Sequence, residues 1–450
     1  MGYHPTPTMG STMNTFAEEF PELALPCTGE VFPDPQLLVL NEPLAAELGL
    51  DPQWLRSTEG IAFLTGQNES YALGYAGHQF GQFNPRMGDG RALLLCENGR
   101  DIHAKGIGRT PFSRGGDGHY PLDAALKEYA FAESLHALGI PTARSLAVLT
   151  TGRTVQRRRL HPGAVGVRVA SSHIRIGTFQ YAALMGPQVT ERLVDYTLAR
   201  HFPEGASPLD LFDATVSRQA DLVANWMRFG FIHGVMNTDN VAISGETIDF
   251  GPCAFMDYFA TDTVYSSIDA RGRYAYGQQP AVMMWNLARL AEALVPLVDG
   301  GVQKFTEHLY RFQPQYAAAW DDKMALALGA PDCAEQLLDL MQVAAPDYNA
   351  MLAGLAPGNI PPGLEETPGA AEWTERWSKH DPQPRNPIFL PRNHGMQAAL
   401  QQAEQGDMTR YLLALEALQN PFVWDAKYEK LGLHTAVPRA EAEFTTYCGT

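Results

Sequence analysis

Residues 71 to about 185 set short apolar runs between glycine-rich turns, and from about 186 the apolar spacing becomes that of helices. This change of period is the strongest constraint on the fold. Runs at 92–96, 102–104, 145–149 and 165–169 read as strands of a mostly antiparallel sheet. One helix interrupts them at about 121–138, where Leu122, Leu126, Tyr129, Leu135 and Leu138 share a face behind Pro121. The segments 191–201, 207–229, 281–298 and 301–312 read as helices, broken by a loop-and-strand stretch at 231–257. A strand-rich part followed by a helical part predicts an α+β, bilobal layout with a cleft at the junction.

The ends differ in texture. Residues 1–60 mix prolines with the run Leu37, Leu38, Val39, Leu40 and read as an arm on the body. Pro357, Pro361, Pro362, Pro368, Pro382, Pro384, Pro387 and Pro391 mark an irregular connection at 355–391 before a last helical region. With 45% hydrophobic residues the 450-residue chain is globular, and 50 acidic against 33 basic side chains give −17. That charge repels phosphate backbones and anionic lipid, so neither nucleic acid nor membrane is an expected partner. The five cysteines (Cys27, Cys96, Cys253, Cys333, Cys448) lack zinc-ligand or CxxC spacing, and no run of 18 apolar residues or leader pattern is present. A soluble, cytoplasmic protein is expected.

The segment HGVMNTDN (233–240), followed by IDFG (248–251), has the texture of a kinase catalytic loop and metal loop. Counting from His233, the position of a kinase base is Val235, which cannot accept a proton, whereas Asn240 and Asp249 match the metal-binding positions. Asp239 is the nearby carboxylate able to take or orient a hydroxyl proton. Upstream, Lys105 lies on a strand-like run and Glu128 on the helix, spaced as a lysine that holds phosphates and the carboxylate that steadies it.

Two glycine-rich turns flank Lys105: MGDGR (87–91), with Gly88, Gly90 and Arg91, and SRGGDG (113–118), with Asp117 and Gly118. Glycines let backbone N–H groups approach phosphate oxygens, although neither turn is a Walker loop. Arg168 and Arg175 follow and could clamp a polyphosphate. Singly, each feature has a plain structural reading as hairpin turn, surface charge or chance tripeptide. Their order along the chain argues for a nucleotide site.

On YAGHQFGQF (75–83), GDGRALLL (88–95), KGIGRTPFSRGGDG (105–118), HGVMNTDN, IDFGP (248–252) and PRNH (391–394), the chain resembles the selenoprotein O (SelO/YdiU) family over most of its length. The resemblance implies a protein-kinase-like fold with the β-rich N-lobe at 61–185, the helical C-lobe at 186–355 and extensions at 1–60 and 356–450. It further implies transfer of AMP from ATP to Ser, Thr or Tyr hydroxyls of proteins with release of pyrophosphate, the nucleotide being flipped relative to a kinase. The family's nucleotide contacts fall on Gly88, Gly90, Arg91, Lys105, Asp117, Gly118, Arg168, Arg175 and Asp249. Asp239 takes the general-base position, Asn240 and Asp249 the metal positions for Mg²⁺ or Mn²⁺, and Glu128 that of the lysine's partner.

Transfer of UMP from UTP is left open beside ATP. Relatives carry selenocysteine or a redox cysteine in the C-terminal tail, where this chain has Cys448; no cysteine follows in 258–269, so Cys253 is its nearest candidate partner. Two other classes stay open on the residues alone: a phosphotransferase whose catalytic loop carries the Val235 substitution, and a non-catalytic ATP-binding pseudokinase.

Overall fold

The computed structural model describes residues 15–447. In chain order the strands are β1 (Ala24–Pro26), β2 (Gln36–Leu40), β3 (Tyr71–Leu73), β4 (Gly77–Gln79), β5 (Gln82–Asn84), β6 (Ala92–Glu97), β7 (Asp101–Lys105), β8 (Tyr120–Pro121), β9 (Arg144–Gln156), β10 (Leu160–Ala170), β11 (Phe231–Ile232) and β12 (Ala254–Phe255). The main sheet runs β1-β3-β6-β7-β10-β9-β2, with β8 added to β10, and every pairing in it is antiparallel. The four expected strands are present, and β9 and β10 extend well past the apolar runs that announced them. Both edges of the sheet come from residues before 41, because β1 pairs with β3 and β2 pairs with β9.

The sequence Asp101-Ile-His-Ala-Lys105 alternates strictly, so β7 presents Ile102 and Ala104 to one face and His103 and Lys105 to the other. The apolar face, with Leu93, Leu95, Val165, Val167 and Val169, closes on Leu44, Leu48, Leu55, Phe63 and Leu64. These last residues come from three short helices, Glu42–Glu47 (with Leu48 as its C-cap), Pro52–Leu55 and Thr58–Leu64, started by the side chains of Asn41, Asp51 and Ser57. The polar face gains Arg168, paired across the ladder with His103, and is covered by the helix Leu122–Ala137. That helix is buried on both sides, since Tyr129, Leu126 and Ala130 also pack against Met396, Tyr411, Leu415 and Leu418 from the helices Asn393–Glu404 and Thr409–Gln419.

Beyond residue 175 the chain is helical. Pro208–Phe229 starts on Ser207, whose hydroxyl accepts from the Asp210 N–H, and stops at Gly230 with φ +68°. Its Phe212, Val216, Val223, Trp226 and Phe229 lie in the largest apolar cluster. Two differences from the sequence reading stand out. A helix, Ile176–Met185, precedes the expected onset; Arg175 stands at its N-cap position, and its N–H donates to Thr178 Oγ1 at 3.1 Å. Another, Ala370–Ser378, sits inside the stretch read as irregular, and its Trp373 and Trp377 are fully buried. The prolines flank this helix rather than interrupt it. No helix of the described residues is long and apolar enough to cross a membrane.

Candidate active site

A cavity of about 1160 Å³ opens where the polar face of the sheet meets the loops after β11. It is lined by Gly88, Gly90, Arg91, Asp117 and Gly118 from the glycine-rich turns, and by Lys105, Arg168 and Arg175. Asp239, Asn240 and Asp249 line it from the helical part. Glu128 stands behind Lys105, and Cys448 lies outside the described residues.

The centre of the cavity is a charge chain. Lys105 Nζ donates to Glu128 Oε2 at 2.8 Å and to Asp249 Oδ1 at 3.2 Å, and the Tyr120 hydroxyl donates to the same Glu128 oxygen at 2.7 Å. Arg168 Nη1 lies 3.7 Å from the other Glu128 oxygen. Burial works to raise the Glu128 carboxyl, but Lys105 and Arg168 more than offset this and keep it ionised. Asp249, half-buried, is likewise held well below the usual range: burial would raise it, and Lys105, Arg168 and Arg91 outweigh that. Asp249 adopts φ +65°, a conformation costly for a residue with a side chain.

The glycines earn their places by contact. A Cβ on Gly88, where φ is +68°, would meet the Phe112 ring at 2.3 Å, and one on Gly118 would meet the Gly108 carbonyl oxygen at 2.0 Å. Between Gly88 and Gly90, Asp89 accepts from Leu73 N at 3.1 Å and bonds His103 at 2.9 Å, which ties the turn to the sheet. Asp117 forms a two-pronged ion pair with Arg157, at 2.7 and 2.9 Å, and is held at about 2 chiefly by that guanidinium.

Asp239 sits in a 3₁₀ turn, Thr238–Asn240, that the rest of the chain holds from several sides. His78 N donates to Thr238 Oγ1 at 2.7 Å, Phe80 N to Asn237 Oδ1 at 3.1 Å, and Arg175 Nη1 to the Asp239 carbonyl at 3.0 Å. Gly77 packs so closely that a Cβ there would lie 2.4 Å from Asp239 Oδ1. That oxygen is buried without a hydrogen-bond partner, and burial pushes the Asp239 carboxyl up to about 7. Asn240 Nδ2 donates to the Val235 carbonyl at 3.0 Å, which reserves its amide oxygen for another group. An ionised Asp249 and that amide oxygen form the oxygen donor set a hard divalent cation takes.

Several contributors escaped the motifs. Tyr120 underlies Lys105 and Arg91, with each cation 4.8 Å from its ring centre, and Tyr75 underlies Arg175 at 4.2 Å. Their partners are distant in sequence, so no local signal marks them. Asp123, His161 and Glu404 cluster at the cavity wall, where Arg159 bonds Glu404 and lies 3.7 Å from Asp123. Residues 444–447 also line the cavity; Thr446 donates to the Pro252 carbonyl at 2.7 Å, and Arg158 lies over the Tyr447 ring at 3.9 Å. Cys253, the partner expected for Cys448, is fully buried, and burial pushes its thiol up to about 12.

The profile of the family described as protein adenylyltransferase SelO matches residues 11–367. The chain is 48% identical to the protein nucleotidyltransferase YdiU of Mycolicibacterium smegmatis, with 97% of each chain covered. It is 46% identical to the protein of that name from Corynebacterium efficiens (97% of this chain, 95% of the relative) and 47% to that from Pseudarthrobacter chlorophenolicus (97% of each). The chain therefore belongs to the protein adenylyltransferase SelO family and is a nucleotidyltransferase.

Proposed function

We propose that the cavity binds ATP and that the chain transfers AMP to Ser, Thr or Tyr hydroxyls of proteins, within a two-lobed, kinase-like frame whose lobes span 61–185 and 186–355. The observation that carries the reading is a proton acceptor beside a cluster of cations: Asp239, poised at about 7 with one oxygen unpartnered, shares the cavity with Arg91, Lys105, Arg168 and Arg175. Val235, at the position of a kinase base, has no group that accepts a proton.

In this reading Gly88, Gly90 and Gly118 let backbone N–H groups meet phosphate oxygens, and the cations take the charge that grows on pyrophosphate. Asp117, fixed by Arg157, borders the nucleotide through the second glycine-rich turn. Asp239 accepts the hydroxyl proton as the oxygen attacks the α-phosphorus; the bond from that phosphorus to the bridging oxygen breaks, and pyrophosphate leaves. Asn240 and Asp249 would hold Mg²⁺ or Mn²⁺, which when bound neutralises charge on the phosphate oxygens. A small cationic pocket in a chain of net charge −17 suits a compact, metal-chelated nucleotide.

Incubation with ATP labelled at the α- or the γ-phosphate tests the reading. Label is expected in protein from the α-position alone, and lost in Asp249→Ala. Label from the γ-position would make the chain a phosphotransferase, and tight ATP binding without transfer from either position a pseudokinase. Incubation with UTP labelled at the α-phosphate decides whether UMP is transferred as well.

A further inference from the structure

The first glycine turn and Arg168 are joined by a buried histidine that lies in neither motif. His103 Nε2 is 2.9 Å from Asp89 Oδ2, and Arg168 Nε is 3.2 Å from His103 Nδ1. An arginine Nε can only donate, so Nδ1 must be bare and the single ring proton must sit on Nε2, where the Asp89 carboxylate accepts it. The ring is pressed against His173, with centroids 4.3 Å apart and planes 21° apart, and is completely buried. Asp89 is itself fixed by the Leu73 N–H.

This arrangement engages Arg168 through Nε and leaves its two terminal nitrogens for other partners. Nη1 faces Glu128 at 3.7 Å, and Arg168 lines the cavity. The alternative ring tautomer would set an Nδ1–H against the Arg168 Nε–H, donor against donor. Arg168 would then have to swing away from a ring that cannot move.

We propose that His103 is a positioning residue: its bare Nδ1 holds Arg168 by Nε so that the terminal nitrogens meet the nucleotide phosphates, and Asp89 enforces the tautomer that makes this bond. The glycine turn thereby has a second duty, since its central aspartate aims an arginine on a different strand. The inference rests on Arg168 being a phosphate ligand.

The test is a double-mutant cycle on the full chain, reading the dissociation constant for ATP with Mg²⁺ and the rate of pyrophosphate release. Asp89→Ala removes the oxygen that accepts from Nε2 and so frees either tautomer; His103→Gln removes the acceptor facing Arg168, whereas His103→Asn returns an oxygen near the Nδ1 position. Asp89→Ala and His103→Gln are each expected to weaken ATP binding about tenfold, the scale of a lost hydrogen bond to a charged group. His103→Asn should bind ATP more tightly than His103→Gln. Both losses should vanish in an Arg168→Met background.

A loss that persists at full size in Arg168→Met, or wild-type affinity in Asp89→Ala and His103→Gln, overturns the inference. Wild-type ATP affinity in Arg168→Met alone removes Arg168 from the nucleotide site, which is a failure of the functional reading. Nitrogen-15 shifts of the imidazole report the tautomer without any activity: a proton on Nδ1 overturns the inference, and one on Nε2 supports it.

Discussion

Lys105 touches two carboxylates and a tyrosine ring, and each contact limits what can replace it. In Lys105→Met, Glu128 stays buried with Arg168 at 3.7 Å as its remaining cation. We expect α-label transfer to be abolished and stability to fall by about 3 kcal/mol in urea denaturation, the range for stranding one member of a buried ion pair. Gly77→Ala acts differently. Its new methyl group would press on the Asp239 carboxylate and, at 2.6 Å, on Met87 Sδ; the flexible thioether can turn aside whereas the carboxylate is displaced, so kcat should fall about tenfold while ATP affinity stays within twofold. Equal losses in both would show that Gly77 shapes the nucleotide site instead. At this scale Lys105, Glu128, Asp239 and Asp249 stood out in the sequence because residue type and order marked them. Tyr120 and His103 did not, since what they do depends on partners fixed only when β7, β8 and β10 align, and Tyr75 did not, since it meets Arg175 only where the loop after β3 packs on the start of Ile176–Met185.

Among the elements, the helix Ala370–Ser378 shows where local reading fails. Proline density drew attention to the ends of the segment, yet Trp373 and Trp377, one turn apart, supply the apolar stripe of a short helix. Their rings stack at 5.3 Å, and the Trp377 indole donates to the Leu328 carbonyl at 2.9 Å. Trp377→Ala should cost about 3–5 kcal/mol in a denaturation curve. Neither tryptophan lines the cavity, so kcat measured well below the transition should match wild type. Strands β6 and β7 were legible because they alternate between two buried faces. The outer half of β9 was not: Thr150 and Thr154 are polar, and it is pairing with Ala164 and Pro162 of β10 that makes them strand.

For the molecule as a whole, His201 links stability to pH. Burial first, then the Arg200 and Arg218 guanidiniums, hold its imidazole at about 4, against 6.5 ordinarily, and its Nε2 lies 2.7 Å from the Ser172 hydroxyl. The unfolded chain takes up a proton below 6.5 that the folded chain refuses until about 4, so this contribution is complete above 6.5 and is lost as pH falls through that window. At roughly 1 kcal/mol per pH unit, the drop in unfolding free energy from pH 7 to pH 5 should be about 1–2 kcal/mol smaller in His201→Asn. An equal drop in both proteins would place the acid sensitivity elsewhere.

The sheet also has a history that its finished form conceals. Its two edge strands lie within residues 24–40, and among the described residues Gln36–Leu40 pairs with Arg144–Gln156 alone. A growing polypeptide makes this strand early and its neighbour much later. Until the neighbour is synthesised, an apolar segment reading QLLVL waits without a ladder, open to strands of other chains. The interval of aggregation risk during synthesis is therefore set by the time needed to build the residues between the two strands.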